Sequence, residues 1–249
     1  MQTLKTQIIL SLMCVCAMFN SCTTLSDREF EVNGVKFKMI AVEGGSFMMG
    51  ATPGQGNDAR ENEKPAHKVT VDDFLIGETE VTQQLWFAVM GNNPSHFKSR
   101  GDFPVENVSW NDVQWFIKEL NRITGQHFRL PYESEWEYAA RGGKKSTDKK
   151  YSGSDDVDEV AWYKDNAGKT THAVASKKPN ELGIYDMSGN VYEWCSDFGG
   201  ILDLSSANVS AFILKSSSCY ADNLKCRVAY RTALKSDIRD PSMGFRLAL

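Results

Sequence analysis

The chain has 249 residues, of which 41% are apolar and 24% are charged, and its formal net charge is -4. This composition is typical of an ordinary globular protein, and it excludes a largely disordered chain and a bundle of membrane-spanning helices. The slight acidic excess gives no basic face for nucleic acid, so we expect no nucleic-acid partner.

The first thirty residues have the pattern of an export signal. Lys5 is the only charged residue before Asp27, and the stretch 8–19 is largely apolar. That stretch is too short to cross a bilayer as a helix and suits the apolar part of a signal peptide. Because Cys22 follows small residues directly after it, the pattern resembles a bacterial lipobox with Cys22 as the lipidated residue. The alternative is a plain secretory signal in which Cys22 is unmodified.

We therefore divide the chain into a lipoprotein-type signal peptide (1–21), a tether (22–35) and one domain (36–249). This division predicts a protein of the bacterial cell envelope, held at a membrane by its lipid and facing the periplasm or the surface. Three cysteines remain in the domain, so at most one internal disulfide forms and one thiol stays free. They are Cys195, Cys219 and Cys226.

Alternating apolar and polar residues predict short strands early in the domain, over residues 37–42, 46–50, 67–71 and 74–76. After residue 143 the pattern predicts mostly loops, with strands only at 228–230 and 244–247. Long irregular stretches in a compact domain are usually held by ions or serve a function.

Three helices are predicted in the middle of the domain. The first runs from the N-cap Thr82 to Gly91, and the second from the N-cap Ser109 to Gly125. The third follows Pro131. Four tryptophans are expected in the core rather than at a ligand: Trp110, Trp115, Trp162 and Trp194.

Seven sequence blocks, in this order, resemble the formylglycine-generating enzyme (sulfatase-modifying factor) family. They are residues 44–50 (GGSFMMG), 77–82 (GETEVT), 104–110 (PVENVSW), 129–143 (RLPYESEWEYAARGG), 183–194 (GIYDMSGNVYEW), 226–231 (CRVAYR) and 244–247 (GFRL). The resemblance covers the domain and implies an α+β, C-type-lectin-like fold with little regular secondary structure.

The resemblance also implies a calcium ion in the segment 186–193 (DMSGNVYE). Matched residue by residue, the side chains of Asp186 and Glu193 and the backbone carbonyls of Gly189 and Val191 would hold it. Calcium takes six to eight hard oxygen ligands and tolerates irregular loops. The alternative is a tight turn with no ion.

The family reaction oxidises a sulfatase cysteine to formylglycine with oxygen and Cu(I), which two thiolates hold. In this chain Ala221 stands at the first thiolate position, and the segment before Cys226 is too short for the second. Neither Cys219 nor Cys226 inherits the role, so copper is not expected unless these two form a shifted pair. A related family branch holds iron with closely spaced histidines, and that spacing is missing among His67, His96, His127 and His172.

Three hypotheses follow. The preferred one is a non-catalytic, lipid-anchored member that serves binding or assembly, with an unidentified protein or glycan as its ligand. The second is a copper-dependent oxidoreductase that makes formylglycine with the shifted pair Cys219 and Cys226. The third is a different enzyme on the same scaffold.

Overall fold

The computed structural model describes residues 25–98, 101–202 and 209–249. The predicted signal peptide and Cys22 lie outside these residues. The helices are α1 (Gln83–Met90), α2 (Trp110–Thr124), α3 (Glu133–Ala140) and the single-turn α4 (Val157–Val160). The strands are β1 (Arg28–Val32), β2 (Val35–Val42), β3 (Gly45–Met49), β4 (His67–Val71), β5 (Phe74–Gly77), β6 (Tyr192–Leu202), β7 (Val209–Lys215), β8 (Thr232–Lys235) and β9 (Met243–Gly244).

The described strands form three small sheets. The first has the order β1-β2-β5, the second pairs β3 with β4, and the third has the order β8-β7-β6-β9. Neighbouring strands are antiparallel except for β9, which runs parallel to β6. The predicted strands of the first part of the domain are confirmed. No helix among the described residues has the length and apolarity needed to cross a membrane.

The folded domain begins before residue 36. β1 pairs with β2 in a register that sets Phe30 opposite Phe37, and both rings pack on Phe128 at 5.0 and 5.6 Å between centroids. The prediction of a tether over residues 22–35 is therefore wrong from Arg28 onward. Phe30 and Val32 alternate with Glu29 and Glu31 along this strand, so the strand pattern was present in the sequence.

The first two predicted helices are confirmed together with their caps. The hydroxyl of Thr82 accepts a hydrogen bond from Leu85 N, and Gly91 ends α1 in the left-handed conformation. Ser109 and Asp112 form a reciprocal capping box at the start of α2. The third helix is confirmed as α3.

The second half of the domain contains more strand than the sequence predicts. The β6–β7 pair was missed because β7 is buried along most of its length and lacks alternation, and because β6 has register shifts between Trp194 and Gly200. Residues 228–230 form a turn rather than a strand. Of the segment 244–247, only Gly244 lies in a strand.

Two of the tryptophans assigned to the core differ sharply. Trp194 is fully buried, whereas Trp115 is 62% exposed, the largest exposed fraction among the big apolar side chains of the described residues. On α2, Val113 and Phe116 point into the core, so position 115 faces outward. The core assignment of Trp115 is wrong.

Candidate functional site

Strand pairing brings the candidate calcium loop (residues 186–193) against the candidate thiol loop (residues 216–226). The first loop enters β6 and the second leaves β7, its hydrogen-bonded neighbour. Ser216 Oγ accepts a hydrogen bond from Gly189 N at 3.1 Å and donates one to Gly189 O at 3.2 Å. Cys219 N donates to Asn190 O at 3.0 Å. The two loops therefore form one continuous hydrogen-bonded unit.

Gly189 is required at the tight point of the first loop. Its φ is +92°, and an added Cβ would lie 2.5 Å from the carbonyl oxygen of Trp162. Only glycine combines that backbone conformation with so close an approach. This requirement fixes the position of the flanking residues Asp186 and Glu193.

Both carboxylate oxygens of Glu193 are engaged. Arg246 donates from Nε to Oε2 at 2.6 Å and from Nη2 to Oε1 at 2.8 Å, and Trp136 Nε1 donates to Oε2 at 2.7 Å. Glu193 and Arg246 are fully buried, so each needs the other to remain charged there. The pair also holds β6 against the C-terminal segment.

The carboxylate of Asp186 has fewer hydrogen-bond partners than that of Glu193. Its backbone is left-handed, with φ of 59°, and its Oδ2 accepts a hydrogen bond from Ala175 N at 2.7 Å. Burial raises the pKa of Asp186 to about 6, and the neighbouring charge of Glu193 acts in the same direction. The structure therefore disfavours the carboxylate charge unless a cation compensates it.

Glu80 is a site residue that sequence reasoning did not identify. It is 1% exposed; its Oε2 accepts a hydrogen bond from Asn190 at 3.0 Å, and its Oε1 has no hydrogen-bond partner among the described residues. Burial raises its pKa well above the ordinary value, and the charges of Asp186 and Glu193 add to the effect. Its position in the family block 77–82 (GETEVT) was the sequence feature that could have identified it.

We name Glu80, Asp186, Glu193 and Arg246 the acidic corner. Three carboxylates face one guanidinium, and one buried carboxylate oxygen is unpartnered. Hard oxygens with an excess of negative charge suit calcium, so the charge of the acidic corner agrees with the ion that the resemblance implies. Glu80 Oε1 is the oxygen without a hydrogen-bond partner among the described residues, whereas both carboxylate oxygens of Glu193 accept hydrogen bonds. The described side chains do not form a ligand set for that ion in this structure, since within the described ranges no three or more Asp, Glu, His or Cys side chains form a metal-binding group.

The candidate thiols are buried and are not joined in a disulfide. Cys219 and Cys226 are free and fully buried. Cys226 Sγ lies 3.0 Å from the hydroxyl of Ser217 and packs beside Tyr151. Cys219 instead has the carboxyl groups of Glu106 and Asp240 in its surroundings.

Neither thiol is poised to ionise. Burial raises the pKa of Cys219 to about 12 and that of Cys226 to about 12. The negative groups near each sulfur act in the same direction as burial, and the hydrogen bond to Ser217 only partly opposes the rise in the pKa of Cys226. The thiolate is the metal ligand and the nucleophile, so these sulfurs are poor candidates for either role.

Aromatic side chains cover the surface above the thiol loop. Tyr220, next to Cys219, is largely exposed, and its ring centroid lies 6.1 Å from that of Phe97. His96 meets Phe97 edge to face at 4.8 Å. Phe97 and Tyr220 lie far apart in the chain, so the local pattern of apolar residues could not predict that their rings are neighbours.

The fold and the site define an α+β domain whose motif segments hold together a loop-rich second half. A family model described as the sulfatase-modifying factor enzyme 1-like domain matches residues 28–249. The chain is 35% identical over 240 residues to chaperone protein LppX of Paenibacillus barcinonensis, covering 76% of this chain and 79% of that protein. It is 27% identical over 285 residues to the formylglycine-generating enzyme of Streptomyces coelicolor, covering 84% and 88%.

The chain therefore belongs to the sulfatase-modifying factor family. Among solved structures, Treponema denticola variable protein 1 matches with a TM-score of 0.77 and 31% identity, over 89% of this chain and 98% of that one. The family resemblance and the α+β, C-type-lectin-like fold class are both confirmed.

Proposed function

We propose that this protein is a non-catalytic, lipid-anchored member of the family that serves binding or assembly in the bacterial cell envelope. The observation that carries the proposal is the burial of Cys219 and Cys226, each with its pKa raised to about 12. Cu(I) is held by soft thiolates. Two buried thiols whose raised pKa values keep them protonated do not offer that ligand set.

Seryl hydroxyls do not replace the missing thiolates. The Ser216 hydroxyl is hydrogen-bonded to the Gly189 backbone, and the Ser217 hydroxyl is hydrogen-bonded to the Cys226 sulfur. A neutral hydroxyl is a poor donor to a soft cation. The thiol loop therefore serves to hold two segments of the fold together.

A relative supports the assembly role. The protein at 35% identity is named a chaperone, which is a function of binding another protein rather than of chemistry. The match covers most of both chains. On this reading Cys22 carries the lipid, and calcium in the acidic corner is structural.

An anaerobic Cu(I) titration against a chromophoric chelator tests the proposal on the purified full-length chain. We compare the wild-type protein with Cys219→Ala, Cys226→Ala and the matched control Cys195→Ala, which removes a third buried thiol. The expected result is no tight site that depends on Cys219 or Cys226. Tight binding of one copper that either substitution abolishes, while Cys195→Ala retains it, would contradict the proposal, and turnover of a sulfatase-type peptide would then test the copper oxidoreductase.

A further inference from the structure

A depression between the end of α1 and the side of α2 is separate from both the acidic corner and the thiol loop. Its volume is about 400 Å³, within the range of pockets that hold small ligands. Three chain segments meet there, and the lining residues that matter are Met90, Asn92, Asn107, Asp112, Trp115 and Arg239.

Trp115 forms one wall of this depression. It also lines a second depression, together with Lys118. The Lys118 ammonium lies 5.1 Å from the ring centroid and does not line the first depression. The indole is 62% exposed and is therefore accessible to a ligand in the first depression. Tryptophan is enriched at binding interfaces, where it combines a large apolar ring with a polar N–H group.

Polar groups held by hydrogen bonds line the same depression as the Trp115 ring. Arg239 donates two hydrogen bonds to Asp112, at 2.6 and 2.7 Å from Nε and Nη2. These bonds fix the guanidinium plane, and Nη1 has no hydrogen-bond partner within the described part of the chain. The result is a donor held in place beside an aromatic wall.

Two side-chain amides complete the rim. Asn92 Oδ1 accepts a hydrogen bond from Trp86 at 3.2 Å, and Asn107 Nδ2 donates one to the Pro94 carbonyl at 3.0 Å. One hydrogen bond thus orients each amide, and its other polar atom remains available: a donor on Asn92 and an acceptor on Asn107.

We infer that this depression binds a single pyranose ring of a glycan. A pyranose has an apolar C–H face that stacks on an indole and a rim of hydroxyl groups that both donate and accept hydrogen bonds. An aliphatic side chain of a protein partner would cover the ring but leave the polar rim unpaired, which is unfavourable. This inference rests on the proposed binding role and gives it a ligand class and a location.

The test is saturation-transfer NMR and calorimetry on the full-length chain with methyl glycosides of glucose, galactose, mannose and N-acetylglucosamine. Sorbitol, a polyol without a ring face, is the ligand control. We expect at least one glycoside to bind with a Kd on the order of 1 mM, and sorbitol not to bind. Trp115→Ala should weaken binding at least about tenfold, the loss that follows from removing one aromatic contact worth roughly 1.4 kcal/mol.

Matched variants separate stacking from general damage. Trp115→Phe keeps a smaller ring face and should retain part of the affinity. Phe87→Ala removes another exposed aromatic side chain, 57% exposed on α1, that does not line this depression, and should leave binding unchanged. Circular dichroism confirms that each variant is folded.

The inference is overturned if no glycoside binds up to about 20 mM, if sorbitol binds equally well, or if Trp115→Ala binds as tightly as the wild type. Any of these outcomes leaves the copper titration unaffected. A failure of the glycan site is therefore distinguishable from a failure of the proposed non-catalytic role.

Discussion

Two buried charged sites in this domain differ in whether their charges balance. Glu63 and Arg227 form one pair, with hydrogen bonds of 2.5 and 2.7 Å between side chains that are almost fully buried. The acidic corner instead sets three carboxylates against Arg246 and leaves Glu80 Oε1 without a partner among the described residues. A balanced pair fastens two chain segments, whereas an unbalanced cluster of carboxyl groups is compensated either by protonation or by a bound cation.

The largest effect is expected from breaking the balanced pair. Arg227→Met leaves the buried Glu63 carboxylate without its partner, which typically costs about 3–5 kcal/mol of unfolding free energy. Urea denaturation followed by fluorescence measures the loss. Arg122→Met removes a cation from the exposed pair with Glu119 and serves as the control, with no measurable change expected. Equal stability of Arg227→Met and the wild type would show that the pair does not fasten the fold.

A smaller effect is expected from calcium at the acidic corner. A ligand that binds only the folded state at a concentration 100 times its Kd stabilises the protein by about 2.7 kcal/mol. We therefore expect calcium to raise the Tm of the full-length chain after treatment with a chelator. Glu80→Gln and Asp186→Asn should each reduce that rise, because they remove the charges that the corner leaves uncompensated.

The control for the calcium experiment is the Glu63 site. Glu63→Gln removes a buried carboxylate that Arg227 already neutralises, so the calcium-dependent rise in Tm should persist even though the variant is less stable. If calcium does not change the Tm of the wild type, the corner is a protonated cluster and the calcium proposal fails. An equal rise in the Glu80→Gln and Asp186→Asn variants would place the ion elsewhere.

The difference between these sites also marks the limit of sequence reasoning. The motif blocks placed Asp186 and Glu193 near each other because both lie in one short segment. They did not reveal that Arg246 would occupy both oxygens of Glu193, since that contact joins positions 53 residues apart. Glu80 was missed for the same reason, as its partner Asn190 is 110 residues away.

Local signals performed better than long-range ones. The caps at Thr82 and Ser109 were readable because a helix start depends on residues within one turn. The orientation of Trp115 was not readable from residue type alone, because a tryptophan is usually buried. The neighbouring Val113 and Phe116 do carry the core stripe of α2, so helical spacing was the signal that could have corrected it.

The smallest effect is expected at the ion pair of Asp112 and Arg239, which is less buried than either of the two sites compared above. Asp112 caps α2 and also accepts both hydrogen bonds from Arg239. Partial burial acts to raise its pKa, but the hydrogen bonds from Arg239 and Ser109 outweigh it and lower the pKa to about 2. The folded state therefore favours the carboxylate, and the stability it contributes is present above the ordinary aspartate pKa near 3.8.

That contribution should be lost as the pH falls from about 4 toward about 2. We expect Asp112→Asn to cost about 1 kcal/mol at neutral pH, the typical value of a helix cap, and the difference from the wild type to shrink as the wild-type carboxylate is protonated. Urea denaturation at several pH values measures both quantities. A difference that stays constant down to pH about 2 would mean that the cap contributes through its shape, and that charge at this site, unlike at the acidic corner, does not affect stability.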